Sequence, residues 1–578
     1  MTSIGIVLAV IVPLTLAAAL GAVALRPLAA RLAPWAPLPA LVSSLADQTP
    51  AFELDAALLG LRLGAPDPAT RAFLAFTAVL WLLAGTFARA YVGAHACSFW
   101  FFFLVTMAGN VGAILAGSVA TFYVFYAVMT FAAYGLVVHE RSDAARRAAR
   151  TYLVMALGGE ILLLAAFLLV VRERIDLPFG DVPVSVARSP HRGVICAFLV
   201  VGFGVKAGLV LLHLWLPLAH PVAPSPASAV LSGTIIEVAL LAWLRFLPLG
   251  VAPLPGLGLS LAAVGFVTAF YGAVVGVLQV DPKVVLAYSS VSQMGLAVVA
   301  AGAGLAAPAA APAATAAIVF FASHHAMAKG SLFLGAAVAR ETGGGWPARL
   351  VTLGLLVAAL AIAGAPFTSG ALAKAALKDV LTAPSRGAGA SAALLSVAAI
   401  GSTLLMVRFL SLAAPAADAE ERGPRAGLWV PWLVLLASGS ALAFHPGLRP
   451  DPRAALVGWG ALWSGGWPLL AGVALAVAAS AVLRRLGRAA PTVPPGDVLV
   501  FVEAAVFESR RGIVDARRRA RRARRRLQAE AARRLRLGRR VARLSARLQR
   551  VDGRLADLEK VGVLLLGLFA ALLFLLVD

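Results

Sequence analysis

Charge is scarce in this sequence: Asp, Glu, Lys and Arg make up 13% of its 578 residues, against 61% hydrophobic residues. That ratio excludes a soluble domain, because apolar runs of about 20 residues, enough to cross a bilayer as a helix, recur along almost the whole chain. Cysteine is scarcer still. Cys97 and Cys196 both lie in apolar segments without metal-ligand spacing, so neither a disulfide framework nor a cysteine metal site is suggested. There is no cysteine cluster for iron–sulfur, no flavin or nucleotide fingerprint and no haem-attachment motif. The chain is therefore expected to hold no cofactor, no metal and no catalytic centre of its own. Lysine is also rare, six residues among the 50 that are Lys or Arg, yet Lys206, Lys283, Lys329, Lys374 and Lys378 fall within or at the edge of hydrophobic segments. Burial can bring a lysine into a working pKa range, whereas guanidinium stays charged, so this placement is what a proton relay needs. Snorkelling from a helix end explains Lys283 and Lys378 better than Lys206.

What is present is a series of hydrophobic segments with a few ionisable groups near their centres. Lys206 lies inside 193–217 and Glu237 inside 226–248, joined by the loop from His213 to Ser228. A charge at that depth costs several kcal/mol and by default marks an ion path, the alternative being a structural ion pair between two helices. Segment 193–217 is punctuated by Gly202, Gly204 and Gly208, and the long run 350–382 is interrupted at Gly364-Ala-Pro-Phe-Thr-Ser-Gly370 before Lys374. Two interrupted helices in corresponding positions point to a transporter built from repeats, with sites at the breaks.

The N-terminus reads as a retained span over 3–25, followed by Arg26 and Arg31 at a cytoplasmic end, and 33–46 as a weak, Pro-rich second helix. Residues 47–70 read as an external connection with hairpin-like alternation. Further spans are expected at 71–92, 97–117, 118–138 and 150–171, with 139–150 as an arginine-rich cytoplasmic loop. Beyond 258–280 and 284–303 come 313–338, 391–412, 427–447 and 467–483. The four arginines of 172–192 break the alternation of charge across the membrane. From Glu503 to Lys560 there are nineteen arginines and one lysine against seven acids, with apolar residues at 4-3 spacing from Leu537 to Leu558. This predicts a basic amphipathic helix that meets anionic lipid or a partner subunit, not nucleic acid, ahead of a last span at 561–578.

The loop His213-x-Trp-Leu-Pro-x-Ala-His-Pro-x-Ala-Pro-Ser-Pro-x-Ser-Ala-Val-Leu-Ser-Gly233 resembles the signature of the antiporter-like subunits of respiratory complex I, the multisubunit sodium/proton antiporters and the formate-hydrogenlyase-type membrane hydrogenases. Asp281-Pro-Lys-Val-Val-Leu-Ala-Tyr-Ser-Ser-Val-Ser-Gln-Met-Gly295, His324-His-Ala-Met-Ala-Lys329 and Pro366-Phe-Thr-Ser-Gly-Ala-Leu-Ala-Lys374 resemble further stretches of that family, in the same order. The phrase from Leu240 to Gly250 looks most like the hydrogenase branch. The resemblance covers about 1–450.

It implies an all-α polytopic membrane protein of about 14–16 transmembrane helices, with two inverted five-helix repeats, each holding a broken helix. The expected division is 1–96 for N-terminal spans and the hairpin-like loop, 97–250 and 251–412 for the repeats, and 413–496 for additional spans. The Arg-rich helix at 497–560 and the final span at 561–578 complete it. It implies proton-path roles for Lys206, His325 and Lys374, and with the other ionisable groups inside apolar segments the expected path runs through Lys206, Glu237, Lys283, His325, Lys329 and Lys374, with Glu160, His213, His220, His324 and Asp379 around it. His213 and His220 could equally cap or pack against the break, and of the adjacent pair His324 and His325 only His325 is expected to face the path. Two positions depart from the family pattern. A glutamate is replaced by Ala127 and a lysine by Glu237, so the carboxylate beside Lys206 is expected to be Glu237, with Glu160 as second candidate. The expected function is a proton-translocating, multi-pass inner-membrane subunit of a larger redox-driven complex, bound to other membrane subunits and only indirectly to peripheral redox subunits. The alternatives are ion antiport or inorganic-carbon uptake with a soluble partner, and a non-conducting scaffold.

Overall fold

The computed structural model describes residues 2–496 except 47–51, 54–61, 65–66, 94, 173–176, 383–387, 416–422 and 445–458. The predicted Arg-rich helix at 497–560 and the final span at 561–578 lie outside the described residues. Those described are overwhelmingly helical, and ten helices are long and apolar enough to cross a membrane. This is a polytopic all-α membrane protein.

The chain opens with α1 (Thr2–Ala19), α2 (Arg26–Leu32) and α3 (Leu38–Ser44), so the weak helix expected over 33–46 is instead a 3-10 turn at Ala33–Trp35 followed by a short helix. A pair of two-residue strands, β1 (Phe52–Glu53) against β2 (Arg62–Leu63), pairs Phe52 with Leu63. Then come α4 (Pro68–Tyr91), α5 (Ala96–Leu115), α6 (Val119–Val137) and α7 (Asp143–Val171). Side-chain caps set several of these starts, since an Asp or Ser oxygen satisfies an amide that the first helical turn leaves bare. Asp67 accepts from Thr70 N at 2.7 Å for α4, and Ser142 accepts from Ala145 N at 3.1 Å for α7. The Ser142 cap explains a difference from the sequence reading: most of the loop expected over 139–150 belongs to α7.

After a short α8 (Val182–Arg188), α9 (Arg192–Ala207) ends at the first break, and α10 (Trp215–Val222), α11 (Ser225–Val230) and α12 (Glu237–Phe246) follow. Residues Leu231–Ile235 form a π-turn between the last two. Two long antiparallel helices, α13 (Pro255–Val277) and α14 (Pro282–Ala306), come next. Heptad-spaced glycines draw them together: a Cβ at Gly265 would lie 2.7 Å from Gly295 O, and one at Gly258 would lie 2.4 Å from Gly302 O. Small residues at such a seam let backbones approach where lipid offers no hydrophobic drive. As a result the apolar window of α14 is wholly buried, which makes it an internal post for polar side chains. α15 (Ala311–Glu341) packs beside it, followed by α16 (Gly345–Ala363), the second break, α17 (Ser369–Thr382), α18 (Ala388–Ala413), α19 (Ala426–Ala441) and α20 (Trp459–Arg485).

The two breaks share a backbone pattern. Gly208 and Leu211 have φ of +74° and +70°, and Gly364 and Phe367 have φ of +86° and +65°, so each break places two left-handed residues three positions apart. A left-handed Leu or Phe costs about 1–2 kcal/mol, and strain of this kind persists where the surroundings hold it in place.

Candidate functional site

At the first break α9 stops with Lys206 in its last turn, 4% exposed. The carbonyls freed there are taken by Trp215, whose Nε1 donates to Val205 O at 2.7 Å, and by Leu209 N, which donates to Gly204 O at 2.9 Å. The Trp215 ring also packs edge-on against Tyr152, at 5.1 Å between centroids. The loop therefore closes the helix end with its own tryptophan, leaving the Lys206 ammonium to other groups. Its Nζ donates to Thr130 Oγ1 at 2.9 Å and to Tyr152 Oη at 3.4 Å, and lies 5.3 Å from the centre of the Tyr126 ring. Glu160 of α7, 3% exposed, lines the same small cavity and is in electrostatic contact with Lys206.

The second cluster stands between α10, α12, α14 and α15. Asp281 caps α14 by accepting from Lys283 N at 2.7 Å and Val284 N at 3.3 Å. This turns the Lys283 side chain toward α10, where Nζ donates at 2.7 Å to Ala223 O, the carbonyl that ends that helix. Ser228 Oγ donates to His220 O at 3.1 Å, tying the proline-rich turn together. The His220 ring lies on Phe333 at 4.8 Å, within electrostatic reach of both Lys283 and Lys329. Lys329 Nζ donates to Leu286 O and to Ser289 Oγ, both at 2.7 Å. Glu237 lies within its electrostatic reach and pairs through Oε1 with His325 Nδ1 at 2.5 Å, both side chains fully buried. The π-turn sets this contact. It carries Gly233 against α15, where a Cβ would lie 3.0 Å from Ala326 O, and starts α12 at Glu237 facing His325. Such turns inside helices recur at functional sites.

Adjacent helix positions point about 100° apart, so His324 faces a different neighbour from His325. Its Nδ1 hydrogen-bonds Ser369 Oγ at 2.9 Å, at the start of α17, and it lies within electrostatic reach of Lys374. At this second break Lys374 Nζ reaches back to donate to Ile362 O at 3.0 Å and Ala363 O at 2.6 Å, the bare carbonyls that end α16. A cation there meets both lone pairs and the negative end of the helix dipole. Lys374 opens on a cavity of about 260 Å³ lined also by Gly364, Phe367, Lys378 and Ser464.

A protein-family profile described as NADH:quinone oxidoreductase/Mrp antiporter, TM, matches residues 116–404, half of the chain and the part that holds both breaks. The chain belongs to this family. Among curated proteins, hydrogenase-4 component B of Escherichia coli is 30% identical over 260 residues, 43% of this chain and 38% of that protein. A putative antiporter subunit, mnhA2 of Staphylococcus aureus, is 29% identical over 314 residues, 49% of this chain and 38% of that protein. The matched region thus spans less than two-fifths of these relatives' own length. Among solved structures, the Mrp complex from Dietzia sp. DQ12-45-1b superposes with a TM-score of 0.69 at 24% identity, over 87% of this chain and 60% of that one. The archaeal membrane-bound sulfane sulfur reductase gives 0.63 at 20%, over 82% and 99% respectively. Both agree in fold.

For this family member the structure brings Lys283, His220, Lys329, Glu237, His325, His324 and Lys374 into one succession of neighbouring side chains, and sets Lys206 with Glu160 at the first break. The expected pairing of Lys206 with Glu237 is corrected. Glu237 turns to His325 and Lys329, and the carboxylate beside Lys206 is Glu160. Of the histidine pair, His325 meets Glu237 and His324 meets Ser369 at the second break. His213 packs its ring on Tyr271 and Tyr288 at 5.1 and 5.9 Å, and Asp379 is exposed. Thr130, Tyr152, Ser289 and Ser369 escaped the sequence reading. Tyr126 and Thr130 carried a usable signal, as polar groups one turn apart in a mainly apolar helix.

Proposed function

We propose that this chain is a proton-translocating, antiporter-like subunit of a larger redox-driven complex of the complex I or membrane-hydrogenase type, in the inner membrane. One observation carries the reading: seven buried or half-buried ionisable side chains follow one another from Lys283 at the end of α10 to Lys374 at the second break. Each ionised group in a bilayer interior costs several kcal/mol, and fixed hydrophobic packing would serve a scaffold better. The succession also keeps polar atoms in reserve. Both ring nitrogens of His220, Nε2 of His324 and of His325, and Oε2 of Glu237 have no hydrogen-bond partner among the described residues.

Protons would pass along this succession because each member can hold one. Lysine and glutamate exchange charge, and imidazole both donates and accepts. Lys374, opening on its cavity, is the exchange point at one end. The driving force would come from partner membrane subunits and, through them, from peripheral redox subunits, consistent with the assemblies named for the hydrogenase-4 and sulfane sulfur reductase relatives. The expected repeats 97–250 and 251–412 each contain one break, and 503–560 would dock on anionic lipid or a partner. In proteoliposomes holding the assembled complex, Lys374→Ala should abolish proton uptake while Lys378→Ala preserves it. Equal uptake would overturn the assignment.

A further inference from the structure

Apart from that succession, the first break holds a closed acid–base pair whose members do not touch directly. Glu160 is 3% exposed, and neither carboxylate oxygen has a hydrogen-bond partner within 3.5 Å among the described residues, although Thr130 stands near enough to interact with it. Lys206 has three N–H donors, of which Thr130 and Tyr152 take two. Lys206 and Glu160 both border a cavity of about 10 Å³, walled also by Tyr126, Tyr152, Gly159 and Trp215. That is about the room one water needs, and among the residues that border it Lys206, Glu160, Thr130 and Tyr152 carry the two to four polar partners a buried water requires. The backbones hold this spacing fixed. A Cβ at Gly159 would lie 3.1 Å from Gly202 O, so α7 and α9 are packed as closely as glycine permits on the turn that carries Glu160 and the one that precedes Lys206.

We propose that Glu160 is the acid–base partner of Lys206, joined to it through one buried water, so that the first half of the chain holds a proton without any carboxylate at position 127. The water accepts the third N–H of Lys206 and donates to Glu160. Proton transfer moves one proton from Nζ to the water as the water gives one to the carboxylate, leaving a neutral amine and a carboxylic acid. No other reactant enters. Thr130 positions the ammonium, and its hydroxyl faces both members of the pair. Ala127 lies one turn before Thr130 on the same helix, where a longer acidic side chain could reach the same ammonium.

The proposal rests on the reading of this chain as a proton carrier, and the experiment separates the two. Proteoliposomes of the assembled complex are compared for Glu160→Gln, Ala127→Glu, the double variant and Lys374→Ala, with assembly checked on native gels. Glu160→Gln should lower proton uptake by at least about tenfold, the scale of a lost general acid–base group. The double variant should recover most of it, and Ala127→Glu alone should change little. Infrared difference spectra in H2O and D2O should show a protonated carboxyl band that is absent in Glu160→Gln. Should that variant fail to assemble, Glu160→Asp, which keeps the acid on a shorter arm, should shift the band. Full uptake in Glu160→Gln beside lost uptake in Lys374→Ala overturns the role of Glu160 alone. Full uptake in both overturns the carrier reading. Lost uptake in Glu160→Gln with no recovery on adding Ala127→Glu, and no change in the carboxyl band, would mean a merely structural Glu160 and also refutes the proposal.

Discussion

Removing Glu237 should cost more stability than removing any other single side chain of the buried succession, because it serves two partners at once. Its Oε1 pairs with His325 Nδ1 at 2.5 Å with both side chains fully buried, and it lies within electrostatic reach of Lys329 one turn further along α15. In Glu237→Ala, Lys329 keeps only the neutral acceptors Leu286 O and Ser289 Oγ, and His325 Nδ1 is left bare. Breaking one partner out of a buried pair costs about 3–5 kcal/mol. Glu237→Gln keeps the volume and a hydrogen bond to the imidazole, losing chiefly the charge-assisted excess of about 1 kcal/mol. The assay is reversible unfolding of the purified chain in mixed micelles, run as a double-mutant cycle with His325→Ala. A coupling of about 1.5–3 kcal/mol between the two alanine substitutions is expected. Additivity within about 0.5 kcal/mol would refute the pairing, and with it the placement of α12 by the π-turn.

Gly370→Ala should displace α17, since a Cβ there would lie 1.7 Å from Ala361 O, on the turn whose neighbours seat Lys374. Thermal stability and proton uptake should fall together, and a variant normal in both would show that the break is not held as described. Trp215→Phe keeps a ring against Tyr152 but deletes the donor to Val205 O, so unfolding free energy should drop by about 1–2 kcal/mol; an unchanged value would mean that water replaces the cap without loss.

The breaks were legible because the chemistry that makes them is local. Gly208 and Gly364 adopt the left-handed backbone that glycine alone takes freely, and prolines follow both. The burial of each ionisable group was equally readable, since it follows from position within an apolar run. Direction around the helix was not. Glu237 and Lys206 both lie inside successive apolar segments, but the π-turn at Leu231–Ile235 shifts the helical phase and points Glu237 to α15. No run of apolar letters announces an inserted residue of that kind. The histidine pair shows the same dependence on direction, since positions 324 and 325 meet the two different neighbours that a step of about 100° allows. The start of α7 was misplaced because arginines were read as loop, although Ser142 three residues ahead of Ala145 is a cap that outweighs them.

The account stands most directly on Lys374 as the exchange point of a proton path. The deciding measurement is proton uptake by proteoliposomes carrying the assembled complex, with redox turnover recorded in the same sample. Lys374→Ala should lose uptake while the complex stays assembled, and Lys378→Ala, on the same cavity one turn away, should retain it. Undiminished uptake in Lys374→Ala, at unchanged turnover, would contradict the central claim.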